Sequence, residues 1–139
     1  MEINAITQQI IGGAIEVHRA LGPGLLESAY EECLCRELGL RSLRFERQVP
    51  LRLTYKGVDV PCAYRIDLLV EDRVVIELKA VETLLPVHQA QVISYLKLGN
   101  WPVGLLINFC VPLLKNGILR FVGDTSDPSV PLRVSEPPW

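Results

Sequence analysis

Two carboxylates and a lysine stand out for their types and spacing. Asp67 sits in Tyr64-Arg65-Ile66-Asp67-Leu68-Leu69-Val70, while Glu77 and Lys79 sit in Val74-Val75-Ile76-Glu77-Leu78-Lys79-Ala80-Val81. Both runs have strand composition, and the polar break Glu71-Asp72-Arg73 between them reads as a three-residue hairpin loop. Pairing Val70 with Val74 sets Asp67 opposite Glu77. Side chains alternate along a strand, so Glu77 and Lys79 share one face while Ile76, Leu78 and Ala80 point to the other. A shift of one residue would carry Glu77 and Lys79 away from Asp67, so the arrangement depends on the odd loop length.

Such a set suits metal-assisted chemistry at phosphorus. Two ionised carboxylates one cross-strand spacing apart repel, and a bound divalent cation relieves that repulsion. Oxygen-only ligands with room for waters favour Mg2+ or Mn2+. The metal would lower the pKa of a bound water and offset developing negative charge, with Lys79 orienting that water or stabilising the transition state. The alternative is an edge hairpin whose Asp, Glu and Lys form an ordinary salt-bridged surface, since Glu-x-Lys recurs by chance.

Elements on either side must position these residues. Ile3, Ile6, Ile10, Ala14, Val17 and Leu21 form one apolar helical stripe, which Gly22-Pro23-Gly24 interrupts. A second helix is expected from about Leu25 to Leu38, with Leu26, Tyr30, Cys33 or Leu34, and Leu38 in register and Gly39 as its stop; Glu27 lies on it, one turn before Tyr30. Val49, Leu51, Leu53 and Tyr55 alternate with polar residues as in a half-buried strand ending at Lys56-Gly57, and Pro50 favours an edge or a bulge. After the hairpin, Pro86 opens a helix with Val92, Tyr95, Leu96 and Leu98 on its apolar side, and Gln91 is placed to face the carboxylates. His88 reads as a hydrogen-bonded helix-end residue. The apolar run Val103 to Phe109 reads as a strand covered on both faces, so this helix is a crossover returning the chain parallel to Val74–Val81.

Length and charge bound the rest. A chain of 139 residues, 49% apolar, fits one compact domain with a continuous core. No signal peptide is apparent and no apolar run is long enough to span a membrane. Cys33, Cys35, Cys62 and Cys110 lack metal or redox spacing and read as reduced thiols, which points to the cytoplasm. A net charge of −2 denies the chain a global positive field, so any contact with nucleic acid needs a local patch. Arg41, Arg44, Arg47, Arg52 and Lys56 are the candidate, the alternative being a solvated sheet edge. The apolar balance suggests a homo-oligomer. Residues 123–139, with Pro128, Pro131, Pro137, Pro138 and a terminal Trp139, read as a Pro-rich extended C-terminal tail after a domain at residues 1–122.

The ordered motifs resemble one family, the bacterial GxxExxY proteins of the PD-(D/E)xK nuclease superfamily. The naming motif stands as Gly24-Leu25-Leu26-Glu27-Ser28-Ala29-Tyr30. Phe45-Glu46-Arg47-Gln48-Val49-Pro50, the Asp67 strand, Ile76-Glu77-Leu78-Lys79-Ala80-Val81-Glu82 and Pro86-Val87-His88-Gln89-Ala90-Gln91 follow in order, ending in Leu105-Leu106-Ile107-Asn108-Phe109. The resemblance implies an α/β fold, the restriction-endonuclease-like αβββαβ core with a central mixed sheet flanked by helices. It implies that Asp67, Glu77 and the Leu78 carbonyl hold Mg2+ or Mn2+, that Lys79 is the catalytic lysine, that Gln91 supports it, and that Glu27 reaches the metal or its water shell. Ile66 replaces the proline that precedes the aspartate in the superfamily name. The function expected is a metal-dependent nuclease acting on nucleic acid, DNA being favoured. A non-catalytic self-associating module with a vestigial site is the alternative, and an RNA- or nucleotide-directed phosphodiesterase a third.

Overall fold

The computed structural model describes residues 1–61, 64–123 and 133–135; Cys62, Trp139 and the prolines of the tail lie outside them. Helix α1 spans Ile3–Leu21 and buries Ile6, Ile10, Ala14 and Val17, the expected stripe. It ends where Gly22 takes φ +68°, and Gly24 follows at φ +100°, two left-handed conformations that only glycine adopts without strain. Helix α2 spans Glu27–Leu40, so it starts two residues later than expected and runs through Gly39. Leu26 therefore precedes the helix and is exposed, and the buried register is Tyr30, Leu34, Cys35 and Leu38. Arg41, whose N–H bonds the carbonyls of Glu37 and Leu38, closes the helix in place of the glycine.

The single strand expected up to Tyr55 is two. β1 spans Phe45–Pro50 and β2 spans Leu53–Tyr55. Between them Leu51 turns inward and its N–H bonds the Tyr64 carbonyl. β2 pairs antiparallel with β3 (Val58–Val60) through a turn in which Lys56 and Gly57 both have positive φ, so Lys56-Gly57 joins a small separate hairpin instead of ending a strand. β4 (Arg65–Val70) and β5 (Val74–Lys79) form the central hairpin, and α3 (Pro86–Gly99) crosses to β6 (Val103–Asn108), which runs parallel to β5. β7 (Ile118–Val122) and β8 (Arg133–Ser135) extend the sheet. The order is β1-β4-β5-β6-β7-β8, a mixed sheet with α1 and α2 on one face and α3 on the other, the restriction-endonuclease-like α/β arrangement. Pro50 lies on the edge strand β1, where its missing N–H is tolerated.

Two cores hold the layers. Ile6, Ile10, Tyr30 and Leu34 pack on Leu68, Ile76, Leu105 and Phe109 on the α1/α2 side; Val92 and Leu96 pack on Val75, Leu106 and Phe121 on the α3 side. A Cβ at Gly104 would lie 2.7 Å from a Val92 methyl, so this position on β6 must be glycine for α3 to sit so close. No helix among the described residues is long and apolar enough to cross a membrane.

Candidate active site

The site lies where the central hairpin opens. β4 and β5 pair as Val70↔Val74, Leu69↔Val75 and Leu68↔Ile76, the expected register, and the next step sets Asp67 against Glu77. There the carboxylates replace the ladder. The Asp67 N–H donates to Glu77 Oε1 at 3.3 Å, and the Leu78 N–H donates to Asp67 Oδ2 at 2.8 Å. Glu77 is only 4% exposed, and burial together with the neighbouring Asp67 pushes its carboxyl up to about 9. Two carboxylates this close and this buried repel when both are ionised.

The opposite strand is distorted at the same place. β1 pairs with β4 on both sides, as Arg47↔Leu68 and Val49↔Ile66, leaving Gln48 facing Asp67 outside the ladder with φ +50°. For a residue with a Cβ that conformation costs roughly 1–2 kcal/mol. It is held by side chains: Gln48 Nε2 donates to Glu31 at 2.9 Å, and Arg47 bonds Glu31 and Glu32 at 2.8 and 2.7 Å. These contacts tie β1 to α2, the helix that carries Glu27.

Tyr30 sets the start of α2. Its hydroxyl donates to the Gly22 carbonyl at 2.6 Å and accepts from the Leu25 N–H at 3.1 Å, and its ring stacks on Phe109 at 4.3 Å. The Gly-x-x-Glu-x-x-Tyr spacing thus has a physical meaning. Gly24 supplies the positive φ of the loop, Tyr30 clamps that loop, and Glu27 emerges on the first turn of the helix. Burial raises the Glu27 carboxyl; Lys79 opposes that shift, and Asp67 and His88 also act on it. Lys79 likewise draws down Glu77, so its charge is felt by both glutamates. Asp67 and Glu77 are in direct contact, and Glu27 and Lys79 lie within electrostatic range of them.

Leu78 and Gln91 are placed differently. The Leu78 side chain is buried in the α1/α2 core, leaving its backbone at the site. Gln91 Nε2 donates to the Tyr95 hydroxyl at 2.9 Å; burial and then Glu77 raise the Tyr95 phenol, so Gln91 adjoins the carboxylates by way of Tyr95. His88 closes the start of α3 as expected, with Nδ1 accepting from the Leu85 N–H at 2.9 Å.

Sequence reasoning missed three contributors: Gln48, Tyr95 and Asn108. Asn108 is buried at the end of β6, where its amide bonds both the N–H and the carbonyl of Val81, fixing the chain just beyond Lys79. A polar residue closing an otherwise apolar strand was the available signal. The arginines of the expected basic patch carry carboxylate partners. Arg41 pairs with Glu37, Arg44 with Glu71, Arg47 with Glu31 and Glu32, and Arg52 with Asp59, while Lys56 lies over the Tyr55 ring. Carboxylates beside these arginines offset their charge, while Arg44 and Arg52 keep most of their side chains in solvent.

Among the described residues no group of three or more His, Cys, Asp and Glu is gathered closely enough to cage a metal. The donor set still fits Mg2+. That ion binds through one or two carboxylates and keeps several waters, and the crowded Asp67–Glu77 pair offers hard oxygens whose repulsion a cation removes. Compared with protein-family models, residues 4–121 match the model described as the PD-(D/E)XK nuclease superfamily. No curated protein and no solved structure matches the chain.

Proposed function

The chain belongs to the PD-(D/E)XK nuclease superfamily, and from that premise we propose that it hydrolyses phosphodiester bonds in nucleic acid, with DNA the favoured substrate and Mg2+ or Mn2+ the cofactor. The observation that carries this reading is the opening of the β4–β5 ladder at Asp67 and Glu77, with Lys79 and Glu27 alongside. Asp67, Glu77 and the Leu78 carbonyl would hold the cation. A bound divalent cation supplies charge that offsets the negative charge building on the phosphoryl oxygens.

The chain's own groups do the rest. Lys79 directs its ammonium at the non-bridging oxygens, where charge develops most. Glu27, its carboxyl raised by burial, accepts a proton from the attacking water. Gln91 holds the Tyr95 hydroxyl and so keeps the α3 wall against the carboxylates.

Manganese calorimetry paired with cleavage of single-stranded, duplex and branched DNA and of RNA tests this. Metal binding that depends on Asp67 and Glu77, and cleavage that stops on chelation, support it; Ca2+ should bind and support turnover poorly. Metal binding without cleavage of any substrate would favour the second reading, a self-associating module with a vestigial site. The ion-paired arginines and the exposed Leu26, Val87 and Leu113 support that one. Self-association is compatible with either reading, and free thiols at Cys33, Cys35 and Cys110 agree with a reducing compartment such as the cytoplasm.

A further inference from the structure

An open groove of about 420 Å³ runs along α3 between that helix and Tyr64, on the side of Tyr95. We propose that this groove takes one unpaired base of the substrate strand, stacked on Tyr64, so that the substrate is single-stranded or flapped nucleic acid and not closed duplex. The inference rests on the nuclease reading and specifies its substrate.

Three observations converge on that occupant. The first is the wall. Tyr64 is 49% exposed and tilted against Tyr95 with ring centroids 6.4 Å apart, and the exposed Val87 and Leu98 line the same cleft. A base needs an aromatic or apolar face to stack on and a polar edge to bond, and the Ser94 hydroxyl and Gln91 amide supply the edge. The Gln91 Oε1 is shielded from water and has no hydrogen-bond partner. Leaving such an acceptor unsatisfied costs about 1–3 kcal/mol, and a turn of the Gln91 side chain toward the groove would relieve it by accepting from a ring N–H or exocyclic amine of the base.

The second observation is continuity. Gln91 and Tyr95 both line the groove and bond each other at 2.9 Å, and α3, which carries them, packs on the sheet face at Val75, two residues before Glu77 on β5. The third is charge. Among the described residues Arg41, Arg44, Arg47 and Arg52, the cations that cluster along the β1–β2 stretch, are each paired with a carboxylate, which weakens the continuous basic track that duplex binding needs. Arg65 is exposed, neighbours Tyr64 in the chain and bonds the Gln48 carbonyl at 3.5 Å instead of a carboxylate. Outside the groove lining and on the β1 side of Tyr64, it is a cation for the phosphate that follows the stacked base. Stacking backed by one local cation suits an unpaired strand.

The test uses the full chain in Ca2+ and oligonucleotides of one sequence presented as single strand, flap and closed duplex, each carrying a fluorescent purine analogue. Wild type should quench the analogue in the single strand and the flap and bind both more tightly than the duplex. Tyr64→Ala should lose the quench and weaken single-strand binding roughly ten- to a hundredfold, Tyr64→Phe should retain both, and Leu113→Ala, exposed on the connection between β6 and β7 and absent from the groove, should behave as wild type. Cleavage in Mg2+ is measured in parallel. Cleavage that is indifferent to Tyr64 overturns the groove assignment and leaves the nuclease reading standing, whereas Tyr64-dependent binding without cleavage upholds the groove and overturns the catalysis. Duplex bound as tightly as single strand, or a dimer that Tyr64→Ala dissociates with base binding intact, also overturns the proposal.

Discussion

The two ends of the β4–β5 hairpin are built to opposite rules. At the turn end Val70, Leu69 and Leu68 pair with Val74, Val75 and Ile76 in an unbroken ladder, and every one of these side chains is buried and apolar. One residue further along, carboxylates stand in for the ladder, the partner strand β1 is distorted at Gln48, and a buried glutamate is pushed up to about 9. The first end holds the fold together. The second stores electrostatic repulsion and strain that the first must outweigh, so removing side chains at the two ends should damage different properties.

The largest effects should come from the open end and fall on activity. Asp67→Ala and Glu77→Ala should abolish both cleavage and manganese binding, because each removes an oxygen ligand. Lys79→Ala should keep metal binding while lowering turnover by roughly 10²–10³, the loss typical for one electrostatic stabiliser of a transition state. Calorimetry and single-turnover assays separate the two patterns. Equal loss of metal affinity in all three variants would remove Lys79 from its assigned role.

Next come the apolar positions at the closed end. Leu68→Ala and Ile76→Ala each delete a fully buried side chain and should cost about 2–5 kcal/mol by urea unfolding. The protein that remains folded should still bind manganese. If either variant lost metal affinity while fully folded, the division between the two ends would not hold.

The repulsion itself has a pH signature. The Glu77 carboxyl, ordinarily near 4.5, is raised to about 9 by burial and by Asp67. Above its unfolded value the native state therefore holds the extra proton, so the contribution is fully present below about pH 4.5 and is lost as pH rises through 9. Metal-free protein should lose a few kcal/mol across that window. Melting curves in chelator from pH 5 to 9 check this, and Glu77→Gln, which keeps an acceptor for the Asp67 N–H, should flatten the dependence. An unchanged slope in that variant would mean that another group titrates.

Much of the site was legible because it obeys local rules. An odd loop and a period of two were enough to set Asp67 against Glu77, and an apolar run after a helix was enough for β6 parallel to β5. What escaped depends on partners distant in sequence. Arg47 reads as a free cation until α2 brings Glu31 and Glu32 against it from fifteen or more residues away. Gln48 carries no mark of a left-handed conformation, since its strain arises only when β1, β4 and α2 meet. Val58–Val60 and Ile118–Val122 were passed over for another reason: three- and five-residue strands offer too few alternations to stand out.

The smallest effects should discriminate best between the two ends, because both carry a non-glycine residue with positive φ. Asp72, in the hairpin turn, has φ +55° and is exposed; Gln48, opposite Asp67, has φ +50°. Glycine relieves the backbone cost at either place, about 1 kcal/mol. Asp72→Gly should therefore stabilise the protein by about that amount and leave cleavage unchanged, since nothing at the turn touches the site. Gln48→Gly gains the same relief but loses the 2.9 Å bond to Glu31 that helps fasten β1 to the helix carrying Glu27. Its stability should barely move, and its turnover should fall severalfold with little change in KM as Glu27 loses its fixed position. Urea melts and steady-state kinetics on the two variants decide the matter. If Gln48→Gly matched Asp72→Gly in both stability and turnover, the left-handed residue beside Asp67 would be only a bend in an edge strand, and strain would have no part in positioning the site.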